Sequence, residues 1–183
     1  MSKTAAPVVP STQVYCVYIK TEPERIWQAI TDPEWTNRYG YGGYARYDLR
    51  PGGRFEHEPN AEMKAGAEAM GYPCPDVIID GEVLEADPPR LLKTTWRFLM
   101  DPAAAAEGHT TLTHEIRPVD GGYCALTLTH ECEGAPTVAL MIANQLGDGD
   151  ESQAGGGHAW ILSDLKTLLE TGTAMVPNST SAA

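Results

Sequence analysis

The sequence predicts an α+β fold, in which a curved antiparallel sheet of about six or seven strands wraps around a long C-terminal helix and two short helices follow the first strand. Three observations predict it. Short segments of alternating apolar and polar residues recur between Gly- and Pro-rich turns, two helix start signals follow the first segment, and a long helical stripe of apolar residues lies near the C-terminus. The chain has 183 residues, enough for one domain with a sizeable core.

The first predicted strand is Val14–Ile19, which is rich in Val, Ile and Tyr. Thr21 is expected to cap a short helix, with Glu24 as its capping-box partner. A second start signal follows at Asp32 and Pro33, so two short helices are predicted and not one long helix. The buried face of the first helix is expected to consist of Ile26, Trp27 and Ile30.

A hairpin is predicted next, with strands at 44–49 and 54–58 around the turn Pro51-Gly52-Gly53. Arg50 is expected to lie opposite Arg54. Because side chains alternate between the faces of a strand, this register places four residues together on the inner face of the sheet. These residues are Tyr47, Leu49, Phe55 and His57.

Two further strands are predicted at 77–86 and 91–100. The second strand places one set of side chains on a common face: Leu92, Thr94, Trp96 and Phe98. Two stretches are expected to be irregular. The Gly-, Pro- and Ala-rich stretch 59–75 could hold one helical turn but has no apolar period, so it is predicted to be a surface loop. The stretch 101–108 is predicted to be an alanine-rich connection.

The last hairpin is predicted to join strands at 110–117 and 123–132 through an Asp-Gly step, which is a hairpin signal. Arg117 is expected to lie opposite Tyr123. The inner face of this hairpin then carries Leu112, His114, Ile116, Leu126, Leu128 and His130. Threonines fill the opposite face, which is the alternation of an antiparallel sheet buried on one side.

A final helix is predicted from about Gly157 to Thr171, ended by Gly172. Its apolar stripe consists of Ile161, Leu162, Leu165, Leu168 and Leu169. Only the inner face of the sheet is large enough to cover that stripe. One domain is therefore expected over residues 13–172, with flexible tails at 1–12 and 173–183.

The order of these segments resembles the AHSA1-like family (activator of Hsp90 ATPase homologue 1-like) of the SRPBCC, or START/Bet v1-like, superfamily. The resemblance covers roughly residues 13–172. It is carried by 21–35, Arg50-Pro-Gly-Gly-Arg-Phe55, 81–91, Trp96, 126–130 and the C-terminal helix. It implies the helix-grip fold, and it implies hydrophobic-ligand binding, aromatase/cyclase-type catalysis, or an Hsp90 co-chaperone role in the stress response as candidate functions.

The composition bounds the partners. The formal charge is −12, from 13 basic and 25 acidic residues. Nucleic acids and anionic membranes are disfavoured, because their binding needs a basic surface. Residues 1–12 lack the apolar core of a secretory signal, and no apolar run approaches the roughly 18 residues of a membrane span. A cytoplasmic protein without membrane insertion is expected.

The aromatic and histidine side chains of the inner face predict a cavity for a hydrophobic small molecule between the sheet and the C-terminal helix. The predicted lining consists of Trp35, Tyr39, Tyr47, Phe55, His57, Trp96, Phe98, His114, His130, Ile161 and Leu165. The alternative is that these rings fill the core, and for Phe55 and Phe98 packing is the favoured role. Inward imidazoles fit packing less well, because each buried polar group needs a partner.

Catalysis is the second interpretation, with His57, His114 and His130 as candidate acids or bases. The predicted register separates His114 from His130 by about 13 Å, which argues against a shared metal. His158, at the start of the last helix, could approach the mouth of the cavity, but solvation at the helix end is the favoured role. No metal and no cofactor are predicted.

Three further sequence features are not predicted to form a catalytic, redox or metal site. The four cysteines lack paired C-x-x-C spacing and are expected to be buried thiols, although a Cys124–Cys132 disulfide stays open. The run Asp148-Gly-Asp-Glu-Ser152 lacks the required glycine and glutamate of a calcium loop. The glycines at 155–157 are a candidate gate for ligand access.

The favoured function is binding of a hydrophobic small molecule, a lipid or a polyketide-like aromatic. An aromatase/cyclase-like enzyme that uses the cavity histidines is the alternative. An Hsp90-type co-chaperone ranks third, because the chain has no match to the separate N-terminal domain of the eukaryotic co-chaperones. A chaperone or a second copy of the chain is a possible partner.

Overall fold

The computed structural model describes residues 9–144 and 157–175. The strands are β1 (Thr12–Ile19), β2 (Tyr44–Tyr47), β3 (Gly53–Glu58), β4 (Ile79–Asp87), β5 (Leu91–Phe98), β6 (Thr110–Val119) and β7 (Tyr123–Glu131). The helices are α1 (Pro23–Thr31), α2 (Pro33–Thr36), α3 (Ala61–Ala69), α4 (Pro102–Ala106), α5 (Pro136–Ile142) and α6 (Gly157–Thr171). The seven strands form one antiparallel sheet in the order β1-β7-β6-β5-β4-β3-β2.

The predicted fold class is confirmed: the sheet is curved and antiparallel, the long helix is C-terminal, and two short helices follow the first strand. The core lies between the inner face of the sheet and the helices. Its fully buried members include Ile19, Ile26, Leu92, Ile116, Leu126, Val138 and Leu165. The helix stripe and the sheet face therefore cover each other, as their periodicities indicate.

Helix α6 has the predicted bounds, Gly157–Thr171. It ends at Gly172, which has a φ of +83° and donates its amide hydrogen to the carbonyl of Leu168 at 2.8 Å. A residue with a side chain rarely adopts this left-handed conformation, so glycine is the natural stop. None of the helices in the described part of the chain is long and apolar enough to cross a membrane.

The predicted cap of the first helix is wrong. The N-cap residue is Glu22, and no side chain accepts a hydrogen bond there. Pro23 is the first helical residue, so Thr21 lies one position too early to cap the helix and Glu24 is one position short of the capping-box glutamate. Instead, the Thr21 amide donates to the carbonyl of Ile19 at 3.0 Å, in the turn that leaves β1.

Side-chain caps start three other helices. Asp32 accepts an amide hydrogen bond at the start of α2, as predicted. Asn60 does the same for α3 and Asp101 for α4. The loop prediction for 59–75 and the irregular connection at 101–108 are therefore wrong in part, because caps and alanine propensity form short helices without an apolar period. Helix α5 is a further element that the sequence reasoning missed.

Both predicted hairpin registers are wrong by two residues. Tyr47 lies opposite Phe55, and Val119 lies opposite Tyr123. A shift of two keeps every side chain on its predicted face, whereas a shift of one would have exchanged the faces. The rings on β2, β3, β6 and β7 that were predicted to face inward therefore do so, although the register was wrong.

Leu49 is the exception, since it does not reach the inner face. Strand β2 ends at Tyr47, and Leu49 is 40% exposed. The backbone of the turn approaches Gly53 closely, because a Cβ added there would lie 2.0 Å from the carbonyl oxygen of Asp48. The chain therefore closes the hairpin around a glycine that no other residue can replace without movement of the backbone.

The four cysteines carry free thiols. Cys124 and Cys132 are buried, as predicted, and no disulfide joins them. Cys74 is half-buried. Cys16 is exposed, which contradicts the prediction, because the inner face of β1 is occupied by Tyr15 and its neighbours two residues apart.

Candidate functional site

A cavity of about 470 Å³ lies between the inner face of the sheet, the loop at 39–42 and α6. Its volume falls in the range of small-molecule sites. The lining is mostly apolar and aromatic, with a few polar groups that include Thr36, His57, His114 and His158. Within the described part of the chain, no Asp, Glu, Lys or Arg lines it.

Two pairs of stacked rings form the sheet wall of the cavity. Tyr47 and Phe55 are directly opposite on β2 and β3, and their ring centroids lie 4.5 Å apart with an interplanar angle of 2°. Trp96 and Phe98 are two residues apart on the same face of β5, and their ring centroids lie 6.1 Å apart. Flat walls of this kind suit a flat aromatic ligand, because aromatic rings prefer to stack with an offset or to meet edge to face.

The rim of the cavity joins the 39–42 loop to the start of α6. The amide of Gly40 donates to Oδ2 of Asp164 at 2.7 Å, and the amide of Gly157 donates to the hydroxyl of Tyr41 at 3.1 Å. Gly40 has a φ of +63°, and an added Cβ would lie 3.3 Å from Ile161. The loop therefore closes tightly over the helix.

Asp164 is a structural anchor of this rim that the sequence analysis missed. Its side chain is 1% exposed, and its second oxygen, Oδ1, accepts the amide hydrogen of Met175 at 2.6 Å. One carboxylate thus ties both the cavity loop and the segment after α6 to the helix. A signal was present in the sequence, because Asp164 lies three residues after Ile161 and four before Leu168, within the apolar stripe.

A chain of buried hydrogen bonds lies behind the cavity. Nε2 of His130 is 2.7 Å from the hydroxyl of Thr110, and Nδ1 of His130 is 2.8 Å from Nε2 of His158. Burial lowers the pKa of His130 to about 3 and lowers the pKa of His158 well below its usual value, with smaller contributions from neighbouring imidazoles. Both rings are therefore neutral at pH 7.

His114 is a lining residue whose polar group is not satisfied by the protein. Its Nδ1 atom is buried and makes no hydrogen bond to any described residue. Burial lowers the pKa of its imidazole to about 4, so the ring is neutral at pH 7. Orphaned buried polar atoms are rare, and each needs an explanation.

His57 lies on the opposite side of the cavity from the hydrogen bonds that join Thr110, His130 and His158. Its Nε2 is 3.0 Å from the carbonyl oxygen of Gly42. A carbonyl only accepts hydrogen bonds, so Nε2 carries the proton when the ring is neutral. Burial lowers the pKa of His57, with the backbone hydrogen bond opposing that effect.

The structure brings most of the predicted lining residues together around the cavity: Tyr39, Tyr47, Phe55, His57, Trp96, Phe98, His114, Ile161 and Leu165. Trp35 and His130 do not line it. Trp35 faces away, where the guanidinium groups of Arg25 and Arg38 lie 4.6 and 4.3 Å from its ring centroid. His130 is fully buried behind the cavity, edge-on to Trp96.

The predictions for the other histidines need two corrections. His158 is not solvated: it is 7% exposed and lines the cavity, because the first turn of α6 packs onto the sheet and not into water. His130 lies opposite Leu112, so it is two residues and about 7 Å along the strand from His114, about half the predicted separation. Among the described residues, no three His, Cys, Asp or Glu side chains converge to hold a metal ion.

Two predicted motifs lie outside the described residues. These are the failed calcium-loop run at 148–152 and the first two glycines of the 155–157 gate. The third glycine, Gly157, is described. An added Cβ there would lie 1.8 Å from the carbonyl oxygen of Ile142, so this glycine permits a close approach between α5 and α6.

Solved structures with this fold share little sequence with the chain. CalU16 from Micromonospora echinospora, solved by NMR in solution, is 16% identical with a TM-score of 0.60, over 93% of this chain and 71% of that chain. Protein MLL2253 from Mesorhizobium loti is 20% identical with a TM-score of 0.59, over 86% and 96%. The Aha1 dimer from Colwellia psychrerythraea is 16% identical with a TM-score of 0.54, over 88% and 97%.

These likenesses show the fold alone, since the identities are low. Among curated protein sequences, none matches the chain. The sequence model of the family described as "Activator of Hsp90 ATPase homolog 1-like protein" matches residues 20–170, which is most of the chain. The predicted resemblance is confirmed, and the protein belongs to the activator of Hsp90 ATPase homolog 1-like family, whose helix-grip, START/Bet v1-like fold it shares.

Proposed function

We propose that the protein binds a hydrophobic small molecule, a lipid or a polyketide-like aromatic, in the cavity between the sheet and α6. The observation that carries this proposal is a cavity of about 470 Å³ that is walled by stacked rings and lined by His114, whose Nδ1 atom is buried without a hydrogen-bond partner among the described residues. Apolar walls supply affinity through the burial of ligand surface, and a few polar groups fix orientation.

The protein itself does not close the space. Aromatic side chains could have filled it, but Tyr47 and Phe55 stack on each other, and Trp96 and Phe98 do the same along their own strand. Protein interiors rarely keep voids larger than a water molecule. A cavity of this size that the side chains leave unfilled, with a mostly apolar and aromatic lining, supports a ligand site rather than imperfect packing.

The acid–base alternative has less support than binding. A general base works best when its pKa is near the working pH. Burial lowers the pKa of His114 to about 4 and that of His130 to about 3, which leaves weak bases at pH 7. Neutral imidazoles are better suited to hydrogen-bond a ligand than to remove its proton.

Ligand binding is expected to raise the melting temperature of the protein. An occupant at a hundred times its dissociation constant stabilises the folded state by about 2.7 kcal/mol, which is about 5 to 10 °C for a chain of this size. The measurement is a thermal shift screen with naphthalene, pyrene and long-chain alcohols, followed by calorimetric titration of the compounds that shift the transition.

A cavity-filling variant separates pocket binding from surface binding. Ala45 is buried and lines the cavity, so Ala45→Met places a flexible side chain into the space and is expected to lower affinity at least about tenfold. The control is Val14→Met on the outer face of β1, where the side chain is 63% exposed and the affinity should not change. Equal affinity of both variants, or a panel without any thermal shift, would contradict the proposal.

A further inference from the structure

The hydrogen-bond chain behind the cavity fixes the position of each of its protons. The hydroxyl of Thr110 lies 2.9 Å from the carbonyl oxygen of Trp96 and 2.7 Å from Nε2 of His130. A carbonyl oxygen only accepts, and a hydroxyl has a single hydrogen to donate. Thr110 therefore donates to Trp96, and it must accept the hydrogen bond from His130. Nε2 of His130 carries the proton.

The second step follows from the neutrality of the ring. A neutral imidazole with a proton on Nε2 has a lone pair on Nδ1. Nδ1 of His130 is 2.8 Å from Nε2 of His158, so His158 must donate this hydrogen bond and carries its own proton on Nε2. Burial disfavours a second proton on either ring, because it lowers the pKa of both imidazoles.

The consequence for the cavity concerns the remaining nitrogen of His158. Because Nε2 of His158 is protonated, its Nδ1 atom carries a lone pair. This atom has no hydrogen-bond partner among the described residues. His158 lines the cavity, whereas Thr110 and His130 do not. The buried chain thus holds a lining imidazole in the tautomer that accepts a hydrogen bond on its free nitrogen.

The charge of the lining adds a second restriction. No cationic side chain of the described residues lines the cavity, and the imidazoles of His57, His114 and His158 are neutral at pH 7 because burial lowers their pKa values. An anionic ligand would lose its hydration without gaining a counter-charge, which weakens its binding. A neutral ligand avoids this cost.

We infer that the cavity selects neutral aromatic or apolar compounds that carry a hydroxyl donor, over carboxylates and over ethers of the same shape. This inference rests on the proposed function and specifies the ligand class for the same site. The hydroxyl donates to Nδ1 of His158, and the apolar body packs between the stacked rings of the sheet wall. Fatty acids and aromatic acids are disfavoured, whereas phenols and alcohols are favoured.

The test is a matched set of naphthalenes titrated by calorimetry at pH 7. We expect 2-naphthol to bind about tenfold more tightly than 2-methoxynaphthalene, since one net hydrogen bond contributes about 1 to 1.5 kcal/mol. 2-Naphthoate should bind at least about a hundredfold more weakly than 2-naphthol. Naphthalene itself reports whether the apolar cavity accepts a ligand at all.

The positioning role of Thr110 has its own readout. In protein with ¹⁵N-labelled histidine, the ring nitrogen resonances distinguish the two neutral tautomers, and His130 and His158 are expected to show the Nε2–H form without any ligand. Thr110→Val removes the hydroxyl that accepts from His130, with little change in shape. The variant should lose the uniform Nε2–H signature and reduce the preference for 2-naphthol over 2-methoxynaphthalene to less than about threefold.

The outcomes separate the inference from the proposed function. If naphthalene, the ether and the phenol bind equally, the cavity binds ligands and the hydroxyl selection is wrong. If no naphthalene binds, the proposed function fails with these ligands and the selection falls with it. If wild-type His158 is protonated on Nδ1, the selection is overturned whatever binds. The wild-type spectrum and titrations decide these points even if Thr110→Val does not fold.

Discussion

Replacing Asp164 with alanine is expected to destabilise the protein by about 3 to 4 kcal/mol. The carboxylate accepts amide hydrogen bonds from Gly40 and Met175 while its side chain is 1% exposed. Each hydrogen bond to a charged group contributes about 1.5 to 3 kcal/mol, and the substitution leaves both amides without an acceptor and opens a space in the helix interface. The measurement is urea unfolding at pH 7.

Two comparisons give this result its meaning. Asp164→Asn keeps one oxygen acceptor without the charge, so it should lose about half as much stability as the alanine variant. Asp76→Ala removes a carboxylate that is 98% exposed and pairs with Lys64, and should change the stability by less than about 0.5 kcal/mol. A loss below about 1 kcal/mol for Asp164→Ala would show that the carboxylate does not anchor the rim.

Substitution of Asp164 is also expected to weaken ligand binding in the cavity. Gly40 belongs to the loop that covers the cavity, and Asp164 holds it against α6. In Asp164→Asn, which should stay folded, ligand affinity is therefore expected to fall about three- to tenfold, mostly through faster dissociation. The ligand dissociation rate is the quantity to measure, with Asp76→Ala as the control again.

The fold was predictable because its determinants are local. Alternation along strands and the apolar stripe of α6 are readable in short windows, and the end of α6 at Gly172 follows from one residue type. The hairpin registers were missed because they depend on turn geometry, such as the close approach at Gly53, which composition does not reveal. The side-chain faces were nevertheless predictable, since the error was an even number of residues.

The candidate site was less predictable because its polar contacts join distant parts of the chain. Gly40 and Asp164 are 124 positions apart, and His130 and His158 are 28 apart. A lone histidine at the start of a helix normally meets water, and nothing near His158 in the sequence indicates that β7 supplies its partner. The ring residues of β2, β3 and β5 were found because alternation alone places them inward.

Acidification from pH 7.5 to pH 5 is expected to destabilise the protein through its buried histidines. Burial lowers the pKa of His114 from 6.5 to about 4 and that of His130 from 6.5 to about 3 in the folded state. Between these values and 6.5, the unfolded chain binds protons that the folded chain does not, so stability falls as the pH decreases. One pKa unit corresponds to about 1.4 kcal/mol, so each ring contributes about 2 kcal/mol by pH 5.

The window above pH 5 isolates the histidines from the carboxylates. Asp80, hydrogen-bonded to Arg97, and Glu170, hydrogen-bonded to Lys166, have lowered pKa values. Their stabilising effect is present above the unfolded values of 3.8 and 4.5 and is lost only as the pH falls below them. The slope between pH 6.5 and pH 5 therefore belongs to the buried imidazoles.

His114→Leu assigns the share of one ring. The variant removes an orphaned polar atom, so its stability at pH 7.5 should equal or exceed that of the wild type, while its loss between pH 6.5 and pH 5 should be about 1.6 kcal/mol smaller. Leu128→Met, directly opposite on β7, changes the same wall without a titrating group and should keep the wild-type slope. Urea unfolding across this pH range measures both. A wild-type free energy of unfolding that does not change from pH 6.5 to pH 5 would contradict this prediction. It would mean that the buried imidazoles take up protons in the folded protein. The cavity would then accept anions, and it would lose its basis for selecting neutral ligands.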